Sequence, residues 1–351
     1  MSTDQQQYSD DLRWMAAALD QARRGIGLTS PNPPVGAVVV KDDAIVGWGY
    51  HKKAGEPHAE VEAIRDAMQR SPTKLSGATI YVTLEPCCTT GRTPPCTNAI
   101  KEARIVRVVY GARDPNPAHQ GRADQVLKAG RIQVTSGVME AECTEILRPF
   151  AKWITTGLPY VIAKVGQSLD GRITRPEGEP QWITSEAARA HALRLRNRVD
   201  AIIVGAETVR HDNPRLTLRG AHVNQSKLQP WRVVMTRSGS LPQESHLFTD
   251  EFKDRTLVLP GMDFPEVLRE LADRGVNTVL VEGGGIILGR AFACHQVDEV
   301  VWYIAPLLCG GGRPSISGLP LPASVELSNV QVLTLGDNVC LTGQPVWPTT
   351  A

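Results

Sequence analysis

Hydrophobic patterns of helical and strand type alternate along the first 150 residues. Between residues 10 and 24 the apolar side chains repeat with helical spacing and share one face. Two apolar runs at 35–41 and 44–50 predict strands joined by a turn, and residues 61–68 predict a helix. The later predicted elements are 78–84, 97–103, 105–110 and 132–134. This alternation predicts a three-layer α/β sandwich.

A helical stretch at 140–153 leads out of this region, and Gly157-Leu158-Pro159 marks a boundary. We therefore expect a first domain at 1–150 and a second domain at 151–351. In the second domain, a strand at 160–166 precedes a helix that begins at Thr184 or Ser185, either of which can act as its N-cap. Further strands are predicted at 201–205, 232–238, 276–281, 297–304 and within 325–341.

The composition narrows the classes of protein. A chain of 351 residues with 42% hydrophobic and 21% charged residues is long enough for two globular domains. Its net charge of +1 provides no long-range attraction for a polynucleotide, so a small-molecule substrate is expected and a nucleic-acid partner is not. The seven cysteines and the lack of a signal or membrane-spanning run favour a reducing cytoplasm and no membrane partner.

Three candidate zinc ligands stand beside the predicted elements of the first domain. His58 precedes the helix at 61–68, and Cys87 and Cys96 follow the strand at 78–84. Three protein ligands leave the fourth tetrahedral position for water, which is the catalytic arrangement. Glu60 follows His58 closely enough to hydrogen-bond that water. This H-x-E…P-C…C pattern is typical of zinc deaminases, so we expect Zn²⁺ as a cofactor and Glu60 as a catalytic residue.

Cys88 is a competing candidate ligand because it adjoins Cys87. Consecutive side chains in a turn diverge, so we expect Cys87 to bind the metal and Cys88 to point elsewhere. A site closed by a fourth protein ligand would be structural.

The first domain resembles the deaminase half of the bifunctional riboflavin-biosynthesis family. The resemblance rests on the eight residues between Cys87 and Cys96, the Thr-Pro-Pro-Cys end of that loop, and residues 29–36 and 114–117. It implies a cytidine-deaminase-like α/β sandwich in which Asn32 contacts the pyrimidine ring, and Asp114 and Asn116 hold the ribose phosphate region. Thr89 replaces a histidine that contacts substrate in relatives. His51, Lys52 and Lys53 either reach the substrate phosphate or are solvated.

The second domain resembles the reductase half of the same family, which has a dihydrofolate-reductase-like α/β fold. Residues 168–172, 178–185 and 206–219 carry the resemblance. The implied substrate contacts are Arg196, Leu216, Arg219 and Glu282. The implied groups near the reacting carbon are Lys164 and Asp212, and the implied cofactor contacts are Trp182, Thr208 and Asp212. Pro180 replaces a serine that contacts substrate in relatives.

A glycine-rich segment follows the predicted strand at 276–281. Together with the reductase motifs, it predicts that backbone amides cradle a cofactor pyrophosphate. The residues assigned to this role are Gly283, Gly284, Gly285 and Gly289. Arg237 and Ser238 follow another strand and are expected to hold the 2′-phosphate that distinguishes NADPH from NADH.

The leading interpretation is a two-step enzyme. Zinc-dependent deamination of 2,5-diamino-6-ribosylamino-4(3H)-pyrimidinone 5′-phosphate would be followed by NADPH-dependent reduction of the ribosyl side chain to ribityl. A homo-oligomer formed through the reductase domain is expected. The alternatives are a nucleotide deaminase with an inactive second domain and a nucleic-acid-binding regulator with a zinc-containing loop.

Overall fold

The computed structural model describes residues 3–91, 93–220, 223–224, 226–318, 321 and 323–347. The chain divides into two compact units, Met1–Gly157 and Leu158–Ala351. Among the described residues, no helix is both long enough and apolar enough to cross a membrane.

The first unit is built on a five-stranded sheet with the strand order β2-β1-β3-β4-β5. Strand β1 runs antiparallel to β2 and β3, whereas β3, β4 and β5 are parallel. The elements are α1 (Thr3–Gly25), β1 (Gly36–Lys41), β2 (Ala44–Tyr50), α2 (Ala59–Arg70), β3 (Thr79–Leu84), α3 (Cys96–Glu102), β4 (Arg107–Ala112), α4 (Arg122–Ala129), β5 (Gln133–Ser136) and α5 (Glu140–Thr156). A short 3₁₀ turn, Pro72–Lys74, follows α2.

Glycines allow the helices of the first unit to approach the sheet closely. A Cβ atom on Gly36 would lie 2.1 Å from the carbonyl oxygen of Ala18 in α1. A Cβ atom on Gly49 would lie 2.3 Å from the carbonyl oxygen of Ala59 in α2. Because such contacts are impossible for a larger residue, these glycines fix α1 and α2 against β1 and β2. The start of α2, which carries the deaminase motif, is therefore held tightly on the sheet.

The second unit is built on an eight-stranded sheet with the order β12-β13-β11-β6-β10-β7-β8-β9. Its strands are parallel except at β13, which is antiparallel to β11 and β12. The elements are β6 (Tyr160–Ser168), α6 (Glu186–Leu195), β7 (Ala201–Gly205), α7 (Ala206–Asp212), β8 (Trp231–Thr236), α8 (His246–Thr249), β9 (Thr256–Pro260), α9 (Phe264–Asp273), β10 (Thr278–Val281), α10 (Gly285–Ala293), β11 (Glu299–Ala305), β12 (Glu326–Leu335) and β13 (Asn338–Val346).

Both faces of this sheet are buried along its parallel strands. In β6, Val161 and Ala163 belong to one apolar cluster, whereas Tyr160 and Ile162 belong to another. Successive side chains of a strand point to opposite faces, so the two clusters cover the two faces of the sheet. Helix α6 begins at Ser185, whose side chain accepts a hydrogen bond from the Ala188 amide; of the two expected caps, Ser185 is therefore the one used.

Candidate active sites

A histidine and two cysteines come together in the first unit. His58 stands immediately before α2, Cys87 follows β3, and Cys96 is the first residue of α3. One ligand atom from each residue lies within 4.8 Å of the others. His58 Nδ1 is 3.6 Å from Cys87 Sγ and 3.3 Å from Cys96 Sγ. One imidazole nitrogen and two sulfur atoms at this spacing fit a zinc site that has three protein ligands.

Neighbouring groups favour the metal-binding form of Cys87. The pKa of the Cys87 thiol is lowered to about 4 because the Cys96 side chain, the His58 ring and the Cys96 amide all lie beside its sulfur. The thiolate that results is the metal-binding form of cysteine. On the far side of the His58 ring, Nε2 lies 3.3 Å from the Thr93 hydroxyl, which orients the ring. Cys88 is absent from the group, as expected, and burial raises the pKa of its thiol.

Glu60 lies in the first turn of α2 and is only 3% exposed. Burial is the main cause that raises its pKa, to about 7, and the charge of Cys87 raises it further. A carboxyl group with a pKa near neutrality can both accept and donate a proton at physiological pH, as a general acid and base requires.

The buried ring of His51 connects Asn32 to the metal group. His51 Nδ1 lies 3.0 Å from the Pro57 carbonyl oxygen and therefore donates to it. The other nitrogen, Nε2, then accepts from Asn32 Nδ2 at 3.0 Å, so the ring is neutral. Burial lowers the pKa of His51, in agreement with this neutral form. Of its two expected roles, phosphate contact and a solvated position, the second is wrong because His51 is 2% exposed.

The loop after β4 brings further polar groups towards the loop between Cys87 and Cys96, which we call the metal loop. Asp114 Oδ1 accepts from the Asn116 amide at 2.8 Å, and Asn116 Oδ1 accepts from the Ala118 amide at 3.0 Å. Burial raises the pKa of Asp114. Thr89 of the metal loop lies 3.1 Å from His119 of this loop, between Oγ1 and Nδ1.

A cavity of about 1520 Å³ lies in the second unit. It is lined by ten of the residues predicted to bind substrate or cofactor or to act in catalysis. These are Lys164, Trp182, Thr208, Asp212, Arg237, Ser238, Glu282, Gly283, Gly284 and Gly285. They reach the cavity from β6, the loop between β6 and α6, α7, the loop after β8, and the segment from the end of β10 to the first residue of α10. The positive φ angles of Gly283 (129°) and Gly284 (67°) require glycine at this turn.

Two residues of the cavity wall, Lys164 and Glu282, belong to a buried ion-pair cluster. Glu282 accepts hydrogen bonds of 2.7 and 2.8 Å from Nε and Nη2 of Arg196, and Lys164 Nζ lies 4.0 Å from the same carboxylate. Burial alone would raise the pKa of Glu282, but Arg196 and Lys164 lower it to about 2. The carboxylate therefore remains ionised at neutral pH.

Four predicted residues do not line the cavity. Arg196 is 6% exposed, and its donors are directed at Glu282 and the Thr217 carbonyl oxygen. Arg219 is exposed to solvent as a residue; partial desolvation of its guanidinium, and then the nearby charge of Arg196, lower its pKa. Leu216 has a φ angle of 52° and places its side chain in the core. Gly289 lies outside the lining, and a Cβ atom there would lie 2.0 Å from the Ser317 carbonyl oxygen. This glycine serves chain packing.

Five cavity-lining arginines were not predicted as site residues, and Arg189 and Arg313 are two of them. Arg189 lies over the Trp182 ring with its Cζ atom 4.9 Å from the centroid. Arg313 lies 3.0 Å from the His211 ring, between Nη2 and Nε2. A single arginine in a loop gives no pattern, so only the fold reveals Arg313 as part of the wall.

Comparison with known proteins gives consistent matches for both units. Residues 8–112 match the family "Cytidine and deoxycytidylate deaminase zinc-binding region", and residues 159–341 match "RibD C-terminal domain". The riboflavin biosynthesis protein RibD of Escherichia coli K12 is 37% identical, over 94% of this chain and 98% of that protein. The Bacillus amyloliquefaciens protein of the same name is 39% identical, over 95% of both chains.

Solved structures give the same result for the fold. Acinetobacter baumannii RibD, form 1, superposes with a TM-score of 0.87 at 34% identity and covers 97% of this chain and 100% of that chain. The Thermotoga maritima diaminohydroxyphosphoribosylaminopyrimidine deaminase/5-amino-6-(5-phosphoribosylamino)uracil reductase superposes with a TM-score of 0.85 at 33% identity, with the same coverage.

Proposed function

Because this chain belongs to the family of bifunctional riboflavin-biosynthesis proteins that join a deaminase to a reductase, we propose how its residues carry out the two steps. The predicted α/β fold class, with a cytidine-deaminase-like domain before a reductase domain, is confirmed. So is the predicted function: zinc-dependent deamination of the diaminopyrimidinone ribosylamine phosphate, then NADPH-dependent reduction of its ribosyl side chain. We assign the first step to residues 1–150 and the second to residues 151–351.

The grouping of His58, Cys87 and Cys96 beside Glu60 is the observation that carries the first assignment. These three residues would hold Zn²⁺, which when bound lowers the pKa of a water molecule. Glu60 takes the proton of the attacking water and delivers it to the departing amino group. Glu60 is buried in the first turn of α2, which begins directly after His58, so its carboxyl group lies beside the metal group where this transfer takes place.

Asn32 orients the pyrimidine in this proposal. Its amide nitrogen faces His51, so its carbonyl oxygen faces the opposite way and can accept a hydrogen bond from a ring N–H. The neutral tautomer of His51 fixes this choice, because Nε2 must receive a donor. Asp114 and Asn116 hold the phosphoribosyl region of the substrate.

The cavity of the second unit accommodates NADPH and the deaminated product of the first step. NADPH supplies the hydride, while the protein positions the reactants and supplies a proton. We assign Trp182, Thr208 and Asp212 to the nicotinamide side. The backbone of residues 283–285 cradles the pyrophosphate, and Arg237 and Ser238 hold the 2′-phosphate.

The substrate side of this cavity is assigned to Lys164 and Glu282, with Asp212 near the reacting carbon. Lys164 is a proton donor beside a carboxylate that stays ionised. Arg196 contributes by holding Glu282, and the solvent-exposed guanidinium of Arg219 attracts the substrate phosphate. The backbone of Leu216, whose side chain lies in the core, contacts the substrate.

We propose that a second copy of the chain covers strand β12, which forms one edge of the eight-stranded sheet. Val330, Val332 and Leu333 on this strand are 48%, 65% and 48% exposed. An apolar edge strand of this kind can pair with another chain and is a liability when it stays uncovered. Val332→Lys should shift the protein to a smaller species in analytical ultracentrifugation; an unchanged sedimentation coefficient would contradict this interface.

The net charge and the cysteine ligands support a small-molecule substrate and a cytoplasmic location. A net charge of +1 favours a small substrate over a nucleic acid. A zinc site with two cysteine ligands suits the reducing cytoplasm, where thiols stay unpaired.

Removal of the metal tests whether the metal site serves only the deamination step. A zinc chelator should abolish ammonia release from the diaminopyrimidinone substrate and leave NADPH oxidation with the deaminated intermediate unchanged. Added Zn²⁺ should restore the first activity. Loss of both activities, or of neither, would contradict the assignment.

A further inference from the structure

Glu85 is a buried carboxylate between the metal loop and the loop that follows β4. It comes directly after β3, two residues before Cys87, and is only 3% exposed. Its backbone amide donates to the Ala112 carbonyl oxygen at 2.8 Å, which ties it to the end of β4. The position of its side chain is therefore fixed by the sheet itself.

The Glu85 carboxylate accepts three hydrogen bonds, all from backbone amides. Oε2 accepts from Asp114 at 3.3 Å and from Gly121 at 3.0 Å, and Oε1 accepts from Ala123 at 3.2 Å. All three donors belong to the segment 114–123, which we call the substrate loop. One buried side chain thus holds both ends of this loop.

This arrangement satisfies amides that secondary structure leaves without partners. Gly121 is the N-cap of α4, and Ala123 lies in its first turn. The first amides of a helix have no acceptors within that helix and favour a negative charge nearby. Asp114 lies beyond the last ladder pair of β3 and β4, which is Leu84 with Ala112. The Glu85 carboxylate therefore provides the acceptor that neither the sheet nor the helix provides for these three backbone amides.

A second connection between the metal loop and the substrate loop lies nearer the surface. It is the contact between Thr89 Oγ1 and His119 Nδ1, at 3.1 Å. Both side chains are partly exposed, and the contact is a single hydrogen bond. The buried attachment at Glu85 makes three hydrogen bonds and determines where Asp114 and Asn116 stand relative to the metal ligands.

We propose that Glu85 is a positioning residue of the deaminase, which sets the substrate loop at the distance from the metal group that the substrate requires. This inference rests on the proposed roles of Asp114 and Asn116 in binding the phosphoribosyl part of the substrate. Glu85 acts through those residues and does not itself touch the substrate.

Glu85→Gln tests this role with the smallest change of shape. The amide of glutamine has one acceptor oxygen, and its NH₂ group would face a backbone N–H that then has no acceptor. We expect KM for the diaminopyrimidinone substrate to rise about tenfold, which corresponds to about 1.4 kcal/mol. The kcat value should change less, and the zinc stoichiometry should not change. Reduction of the deaminated intermediate by the same chain should also be unchanged, which would show that the second unit remains folded and active.

Asp11→Asn is a matched control. Asp11 is also a buried acid at 3% exposure, but it accepts from Tyr81 and Arg107 and is anchored on α1. Its replacement should lower stability and leave KM unchanged. A double-mutant cycle with Asn116→Ala should show that Glu85→Gln adds little once the Asn116 side chain is gone.

The outcomes separate this inference from the proposed function. If the wild-type chain releases no ammonia, the proposed deaminase function fails and this inference fails with it. If the wild type is active and Glu85→Gln keeps KM within about twofold, this inference alone is overturned. Loss of zinc in step with activity would also overturn it. Should Glu85→Gln not fold, Glu85→Asp retains the charge on a shorter side chain, and an unchanged KM in that variant would overturn the proposal.

Discussion

The contribution of the buried Glu282 carboxylate to the free energy of unfolding can be measured. It receives two hydrogen bonds from Arg196, and Lys164 lies 4.0 Å away. Glu282→Gln would keep the size of the side chain but remove its charge. Arg196, which is 6% exposed, would then stay in the interior without its counter-charge. Leaving one partner of a buried ion pair alone is strongly destabilising.

The pKa of Glu282 sets the size of this effect. It is about 2 in the folded protein against the ordinary value of 4.5. At about 1.4 kcal/mol for each pH unit, this difference contributes about 3 kcal/mol. Since the folded-state pKa is the lower one, the stabilisation is present above 4.5 and is lost as the pH falls towards 2. Glu282→Gln should therefore lower the free energy of unfolding by about 3 kcal/mol at neutral pH and by less in acid.

Urea unfolding followed by tryptophan fluorescence, at about pH 7 and about pH 3.5, measures both quantities. Glu270→Gln is the matched control, because Glu270 pairs with Arg274 on the exposed face of α9 and such surface pairs contribute little. The double variant Arg196→Met/Glu282→Leu should recover much of the stability while reductase activity is lost. If Glu282→Gln lowers the free energy of unfolding no more than the control, or by the same amount at both pH values, the ionised Glu282 does not stabilise the fold in this way.

Three further substitutions test individual assignments. Glu60→Gln should lower the deaminase kcat by about 10²- to 10⁴-fold with zinc content and reductase activity retained; a smaller loss would deny Glu60 the proton transfer. Cys96→Ser should reduce the zinc stoichiometry measured by metal analysis, whereas Cys88→Ser should not; loss of zinc from Cys88→Ser would make Cys88 a ligand. Arg237→Ala should lower the ratio of kcat/KM for NADPH to that for NADH, and an unchanged ratio would remove Arg237 from the 2′-phosphate site.

Local patterns predicted individual elements better than the sheet as a whole. The strand predicted at 35–41 begins one residue later, as Gly36–Lys41, and the helix predicted at 97–103 is displaced by one residue, as Cys96–Glu102. Both were predictable because periodicity and turn residues are local signals. Strand β6 lies between β10 and β11, more than a hundred residues away in the chain, and no local pattern encodes that order. Helix α9 was missed although Asp263 and Glu266 form a capping box that the sequence displays.

The two sites differ in how much the sequence discloses. The metal group was predictable because its ligands flank short elements and their types are restricted by zinc chemistry. The hydrogen bond from Asn32 to His51 was not predictable, because it depends on how the chain packs rather than on spacing. At Gly289 the structure supplies a packing reason that the sequence does not display, because the Ser317 carbonyl oxygen leaves no room for a Cβ atom there.

One chain is expected to perform both steps in order. The most direct measurement follows ammonia release and NADPH oxidation separately after purified, zinc-loaded protein receives the diaminopyrimidinone ribosylamine phosphate. Ammonia should appear first, and NADPH should then be consumed in equal amount. Ammonia without NADPH consumption would show that the second unit is inactive, and the absence of both signals would contradict the assignment of both steps to this chain.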